Sequence, residues 1–303
     1  MEVRKIWARD PEYPSLLAEI ADPPKHLFAS GRELGDAACI AIVGTRRASR
    51  YGLDVARWLG ADLASAGLVI VSGLAHGIDA AAHQGALDVA GTTVAVLGCG
   101  VDVCYPARNR DLYRRIGERG TLVSELECGV QPLPYQFPIR NRIIAGMSMA
   151  VVIVEARPKG GAMITARLAN ESGREVFAVP GLVHAQTAVG PHQLIRDGAR
   201  LVTSAADILE DLGLATADLA AQPELILSPD ESLIMRHLGP EPTLLDRIAK
   251  MAAIPTSTSA AVLSKLELRG LVVRHTGGRF ALTVGNGSSC VQISPKNGPV
   301  NNH

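Results

Sequence analysis

The sequence predicts an α/β protein: a Rossmann-like, doubly wound, mostly parallel sheet, followed by a small C-terminal winged-helix domain. Three observations predict it. Short apolar runs rich in β-branched residues alternate with helical stretches between residues 39 and 179, as strands buried on both faces of a parallel sheet require. Glycines close most of these runs, where the chain must turn sharply into a helix. After residue 227 the pattern changes to three short helical segments and a Gly-Gly turn, the plan of a winged helix.

In chain order, residues 1–36 form a short N-terminal segment. Tyr13-Pro14-Ser15-Leu16-Leu17 opens a helix there and Asp22-Pro23-Pro24 ends it, because proline restricts the residue before it. Residues 37–212 carry the sheet. Its strands are Cys39–Val43, Leu68–Val71, Thr93–Leu97, Gly120–Val123, Ala150–Val154 and Glu175–Val179. Between them lie helices Leu53–Ala66, Ile78–Val89, Asn109–Glu118, Pro138–Met147 and Ile164–Ser172. Right-handed crossovers gather the strand C-terminal ends and helix N-termini on one edge, where a ligand is expected. Residues 213–227 are a linker. The winged helix spans 228–284, with helices Asp230–Leu238, Thr243–Met251 and Ser257–Arg269 and a hairpin turning at Gly277-Gly278. Residues 285–303, rich in Gly, Asn and Ser, are expected to form a disordered tail.

Composition excludes several classes. No apolar run approaches the ~18 residues that would suggest a membrane span, and the charged start Met1-Glu2-Val3-Arg4-Lys5 is no signal peptide. A cytoplasmic protein is expected. The five cysteines include no Cys-x-x-Cys pair, which argues against a disulfide framework or a zinc site. Formal net charge is zero, so bulk charge does not drive nucleic-acid coating, although a local basic groove stays open.

The strand ends carry the chemistry. Gly44-Thr45-Arg46 closes the first strand: a tight turn, a helix N-terminus and a fixed cation in one place. Arg47 and Arg50 enlarge the basic patch, and Tyr51 offers a stacking surface. The second strand ends in Ser72-Gly73 and runs through Gly77-Ile78-Asp79, another anion-binding turn, with Asp79 positioned to accept loop amides. Phe137-Pro138-Ile139-Arg140-Asn141-Arg142 puts two arginines in a helix's first turn, where they oppose the macrodipole unless an anion lies between them. That favours phosphate. Lys159-Gly160-Gly161 precedes a helix that carries Thr165, a third glycine turn. The expected binding set is Gly44, Thr45, Arg46, Arg47, Ser72, Gly73, Gly77, Asp79, Phe137, Arg140, Asn141, Arg142, Lys159, Gly160, Gly161 and Thr165. Neither the dinucleotide fingerprint nor a P-loop is present, so NAD and ATP are disfavoured. No cofactor, metal cluster or catalytic triad is expected.

In this order these motifs resemble the DprA/Smf family of DNA-processing proteins. Tyr105-Pro106 with Asn109, Ser124-Glu125, Val179-Pro180-Gly181, and Leu194-Ile195 with Gly198-Ala199 belong to the resemblance, which spans roughly Tyr13 to Leu212. The resemblance implies a Rossmann-like domain that binds single-stranded DNA, dimerises, and loads a RecA-type recombinase on incoming strands, displacing or bypassing single-strand-binding protein. It also implies that residues 1–36 keep only the end of a helical domain common in the family. Contacts carry over to Arg46, Arg140, Asn141 and Arg142. Two positions depart from the family pattern: its Ser-Gly-Ser loop is Gly160-Gly161-Ala162 here, and an Asn before Leu-Ile is His192.

Two rivals compete. Nucleotide phosphoribohydrolases share strand-end glycine loops but place a catalytic Glu where this chain has Leu168. A duplex-binding regulator would use the winged helix, yet its third helix offers only Ser257, Thr258, Ser259, Lys265 and Arg269, a weakly basic reading face.

Overall fold

The strands at the centre of the sheet are apolar on both faces and buried along their length, whereas those at its margins are partly exposed. In the computed structural model, which describes residues 2–214, 227–239, 241–268 and 271–282, these strands form a nine-stranded sheet. They are β1 (Arg4–Trp7), β2 (His26–Gly31), β3 (Cys39–Val43), β4 (Val69–Ser72), β5 (Thr93–Val96), β6 (Thr121–Ser124), β7 (Ala150–Ile153), β8 (Glu175–Ala178) and β9 (Arg200–Leu201). Their order is β1-β2-β6-β5-β4-β3-β7-β8-β9. From β6 to β9 all pairings are parallel; β2 joins β6, and β1 joins β2, antiparallel. The strand order runs outward from β3 to β6 on one side and from β7 to β9 on the other. The topological switch point therefore lies between β3 and β7, where open α/β sheets bind ligands.

The helices that flank these strands are α2 (Arg50–Ser65), α3 (Ile78–Asp88), α4 (Arg110–Arg119), α5 (Gln136–Gly146), α6 (Gly161–Glu171), α7 (Val189–Arg196) and α8 (Ala205–Asp211). Sequence and structure agree closely on the central strands: the first is Cys39–Val43 in both, and the others differ by a residue or so at an end. The N-terminal segment differs. The predicted helix is reduced to α1 (Ser15–Ala18), and the flanking residues form β1 and β2, two further strands of the sheet. The alternation Lys5, Ile6, Trp7 and His26, Leu27, Phe28, Ala29 explains it: Ile6, Leu27 and Ala29 are buried while Lys5, Trp7, His26 and Phe28 are not, the period of a half-covered strand.

One core lies against one face of the sheet, with Leu17, Ile20, Leu27, Val43, Ile143 and Ile153 among its members. Another, under α4, gathers Leu97, Leu112, Tyr113, Ile116 and Leu122. Gly85 and Gly60 let α2 and α3 touch, since a Cβ on Gly85 would lie 1.9 Å from the Arg57 carbonyl oxygen.

The chain divides into two units, residues 1–221 and 222–303. The second contains α9 (Pro229–His237), β10 (Thr243–Leu244), α10 (Leu245–Ala252), α11 (Thr256–Leu268), β11 (Val272–His275) and β12 (Arg279–Leu282). Ser228 and Glu231 cap α9 reciprocally. Gly277 and Gly278 both have positive φ, +78° and +68°, the geometry of a tight hairpin turn. The predicted second helix begins two residues late, because Thr243 and Leu244 instead pair with Phe280 and Arg279. Ile234, Ile248, Leu263, Leu266 and Phe280 form the core of this winged helix. Most of the expected linker and the whole expected tail, 285–303, lie outside the described residues.

Candidate functional site

A cleft of about 560 Å³ opens at the switch point, lined by residues that follow β3, β4 and β7 and by the start of α5 and α6. A smaller hollow of about 150 Å³ adjoins it and shares Arg46, Ala75, Tyr105, Phe137 and Arg140.

The β3–α2 turn is built by close approach. A Cβ on Gly44 would lie 2.5 Å from the Ile78 side chain, and the Thr45 N–H donates to the Glu155 carbonyl at 2.7 Å. Gly77 has φ +89°, and a Cβ there would lie 2.3 Å from the Thr45 carbonyl oxygen. These two glycines bring the β3 and β4 turns together. Arg46 projects from the turn, exposed, with its guanidinium 5.3 Å from the Phe137 ring centroid, within cation–π range. Phe137 in turn tilts against Tyr105, with centroids 5.5 Å apart. Arg46, Arg47 and Arg157 line the cleft, and among the described residues none of the three has an ion-pair partner. On the far wall stand Asn141, Gly160, Gly161 and Thr165. Gly160 caps α6 without a side-chain bond, so the amides of Gly161 and Ala162, both lining the cleft, have no side-chain acceptor.

Arg140 behaves otherwise than the sequence suggests. It is 6% exposed, and it donates to the Gly73 carbonyl at 2.9 Å, to the Val96 carbonyl, and to Asn141 Oδ1 at 3.3 Å. Gly73 makes room for it: a Cβ there would lie 2.5 Å from Arg140 Nη2. Burial pulls its pKa down to about 10, while Asp79 holds it up and Arg46 adds to the fall, so it stays charged at neutral pH. Asp79 is also buried. Burial raises its pKa; Arg140 and the amides of Ala75, Gly73 and Gly44 oppose the rise. Arg140 and Asp79 thus brace the floor of the cleft.

Arg142 leaves the cleft altogether. Its guanidinium bonds Glu125 at 2.7 Å and Asp22 at 3.0 Å. Because α5 starts at Gln136, Arg140 and Arg142 lie in its second turn, not the first. The anions expected beside them are the protein's own carboxylates. Ser72 is also internal: fully buried, its hydroxyl donates to the Ile42 carbonyl at 2.6 Å and ties β4 to β3. Gly77 shapes the turn without lining the cleft. Lys159 is exposed on the neighbouring loop but does not line the cleft. Tyr51 is held by its hydroxyl bond to the Pro180 carbonyl.

The structure adds residues that the binding set omitted. Tyr105, Arg108, His76 and Arg157 line the two hollows; Tyr105 and Arg108 flank a Pro, a signal of an ordered turn but not of its direction. Buried Glu155 accepts from the Ser49 N–H at 2.8 Å, the Ser49 hydroxyl at 2.6 Å and the Thr187 hydroxyl at 3.0 Å, and so fixes the start of α2. His192, the departure noted above, places Nε2 3.0 Å from the Gly181 carbonyl oxygen.

Residues 4–213 match the family model described as DNA recombination-mediator protein A, and residues 218–278 match the DprA winged helix domain. The chain is 41% identical to Protein Smf of Escherichia coli, over 89% of this chain and 75% of that one. It is 38% identical to Protein Smf of Synechocystis sp., over 89% of this chain and 78% of that protein. DNA processing protein DprA of Streptococcus pneumoniae is 45% identical over 66% of this chain and 71% of its own length. The crystal structure of DprA from that species superposes with a TM-score of 0.66, at 42% identity, over 70% of this chain and 75% of that one. DNA processing protein A of Helicobacter pylori, described with a single-stranded DNA binding mode, superposes with a TM-score of 0.63 at 29% identity, over 70% of this chain and 96% of that one.

Proposed function

Given that the chain belongs to the DNA recombination-mediator protein A family, we propose that its Rossmann-like unit binds single-stranded DNA in the switch-point cleft. The observation that carries this reading is the unpaired guanidinium of Arg46 over the Phe137 ring at the mouth of the cleft. Arg47 and Arg157 supply phosphate contacts beside it, the uncapped start of α6 supplies amides, and Phe137 and Tyr105 supply faces for an unstacked base. The single-stranded DNA binding mode described for the Helicobacter pylori relative supports single strands as the ligand.

In this reading the protein is a cytoplasmic homodimer. It protects an incoming or exposed strand and delivers it to a RecA-type recombinase in transformation or repair, bypassing single-strand-binding protein. It holds its strand without chemistry: Leu168, at the spacing where a phosphoribohydrolase would carry its acid, packs against the core. Among the described residues no helix is long and apolar enough to cross a membrane.

The test is fluorescence anisotropy with single-stranded and duplex oligonucleotides of equal length at two salt concentrations. A single-strand preference that Arg46→Ala abolishes supports the cleft. Duplex preference untouched by Arg46→Ala moves the function to the winged helix.

A further inference from the structure

The same edge of the sheet carries a second aromatic and basic surface, away from the cleft. Because β2 is antiparallel to β6 and β1 to β2, with Trp7 opposite His26 and Phe28 opposite Ser124, Trp7 and His26 lie at the C-terminal edge of the parallel strands. Trp7, 44% exposed, stands 5.4 Å from the His26 ring, and His26 stands 5.2 Å from Phe28. The Lys5 ammonium lies 4.5 Å from the Trp7 centroid and 5.2 Å from that of Phe28.

Helix α4 borders this surface. Arg115 pairs with Asp88 of α3, which fixes that flank of α4. The opposite flank faces β2, since a Cβ on Gly31 would lie 3.1 Å from the Gly117 carbonyl oxygen. Arg110, seven residues before Gly117, is on the same stripe, and Arg114 is a little nearer solvent. Arg110 lies about 10 Å along α4 from Gly117, and Phe28 lies about 10 Å along β2 from Gly31, so the two are level. Lys5, Arg110 and Arg114 are exposed and, among the described residues, have no ion-pair partner. Of the nearby carboxylates, Glu125 is held by Arg142, Asp102 accepts from the Gly129 N–H, and Asp10 accepts from the Trp7 N–H at 2.8 Å. From the ends of β4 and β5, under the smaller hollow, β2 and β1 are about 10–20 Å away across the sheet.

We propose that this face is a second contact for single-stranded DNA: a platform on which Trp7 stacks an unpaired base while Lys5, Arg110 and Arg114 hold its phosphates. It rests on the cleft reading and extends the strand's path from the smaller hollow, past Arg108, across α4. Unpaired cations beside the exposed Trp7 ring select a ligand with both anionic groups and π faces.

The experiment uses the full chain carrying Trp58→Phe, which leaves Trp7 as its tryptophan reporter. It is titrated with a short oligothymidylate that fills only the cleft and with a long one, following Trp7 fluorescence and anisotropy together. Quenching by the long oligonucleotide alone is expected. Trp7→Ala should weaken long-oligonucleotide binding by about 5- to 100-fold, with Trp7→Phe restoring most of it. Arg110→Glu with Arg114→Glu should flatten the salt dependence by about 0.7 log units for each phosphate no longer held. Tight long-strand binding without quenching overturns the platform and leaves the cleft intact. No binding of either length overturns the cleft reading itself. Quenching by an oligoglutamate at equal concentration, with none by oligothymidylate, reassigns the face to an acidic peptide and overturns the proposal.

Discussion

Arg140→Ala separates two accounts of the most distinctive sequence block. If Arg140 held phosphate, its loss would lower DNA affinity and leave the fold untouched. The structure predicts the reverse order of effects. The substitution removes charge-assisted bonds to the Gly73 and Val96 carbonyls and strips buried Asp79 of the positive charge that faces it. Leaving a buried charge uncompensated costs about 3–5 kcal/mol. At 2–4 °C per kcal/mol for a unit of this size, the melting transition of the Rossmann-like unit should fall by about 6–20 °C. A pH series adds a signature. Burial already raises the Asp79 pKa, and without Arg140 it rises further above the unfolded value of about 3.9. The folded state then takes up a proton that the unfolded state does not. The penalty is full above the folded pKa and fades as pH falls towards 4. Calorimetry of native and Arg140→Ala protein at pH 7 and pH 5 measures both. A variant that melts within about 1 °C of native yet no longer binds single strands would refute the bracing role.

Three further outcomes follow from the same geometry. Arg46→Ala, at an exposed side chain, should leave the melting temperature unchanged and reduce the salt slope of single-strand binding by about 0.7, read by anisotropy. Buried His83, whose pKa burial and then Arg140 pull down to about 3, stays neutral in the fold while the unfolded chain protonates near 6.5. Its contribution is full above that pH and declines below it, so native protein should lose about 2 kcal/mol more than His83→Asn between pH 7 and pH 5 in urea unfolding. Glu155→Ala frees the Ser49 and Thr187 donors and should cost about 2–3 kcal/mol, with thermal unfolding as the measure.

The sequence by itself determined the parallel sheet, because strands covered on both faces need near-continuous apolar runs, and those runs stand at residues 39–43, 68–71, 93–97, 120–123, 150–154 and 175–179. It also determined that the glycine turns share one edge, since right-handed crossovers leave no other arrangement. The winged helix was legible from its Gly-Gly hairpin and the helices before it. The added strands β1 and β2 were not: four to six residues of half-polar alternation, separated by a proline-containing stretch, carry little weight without a neighbouring strand to pair with. Nor could the sequence sort its arginines. Arg46, Arg140 and Arg142 carry the same charge, and only tertiary packing sets one in solvent over an aromatic ring, one under the Gly73 turn and one between two carboxylates. A cation's role depends on which opposite charges and carbonyls come within about 3 Å of it, and here those partners lie 67 residues away at Gly73 and 120 residues away at Asp22.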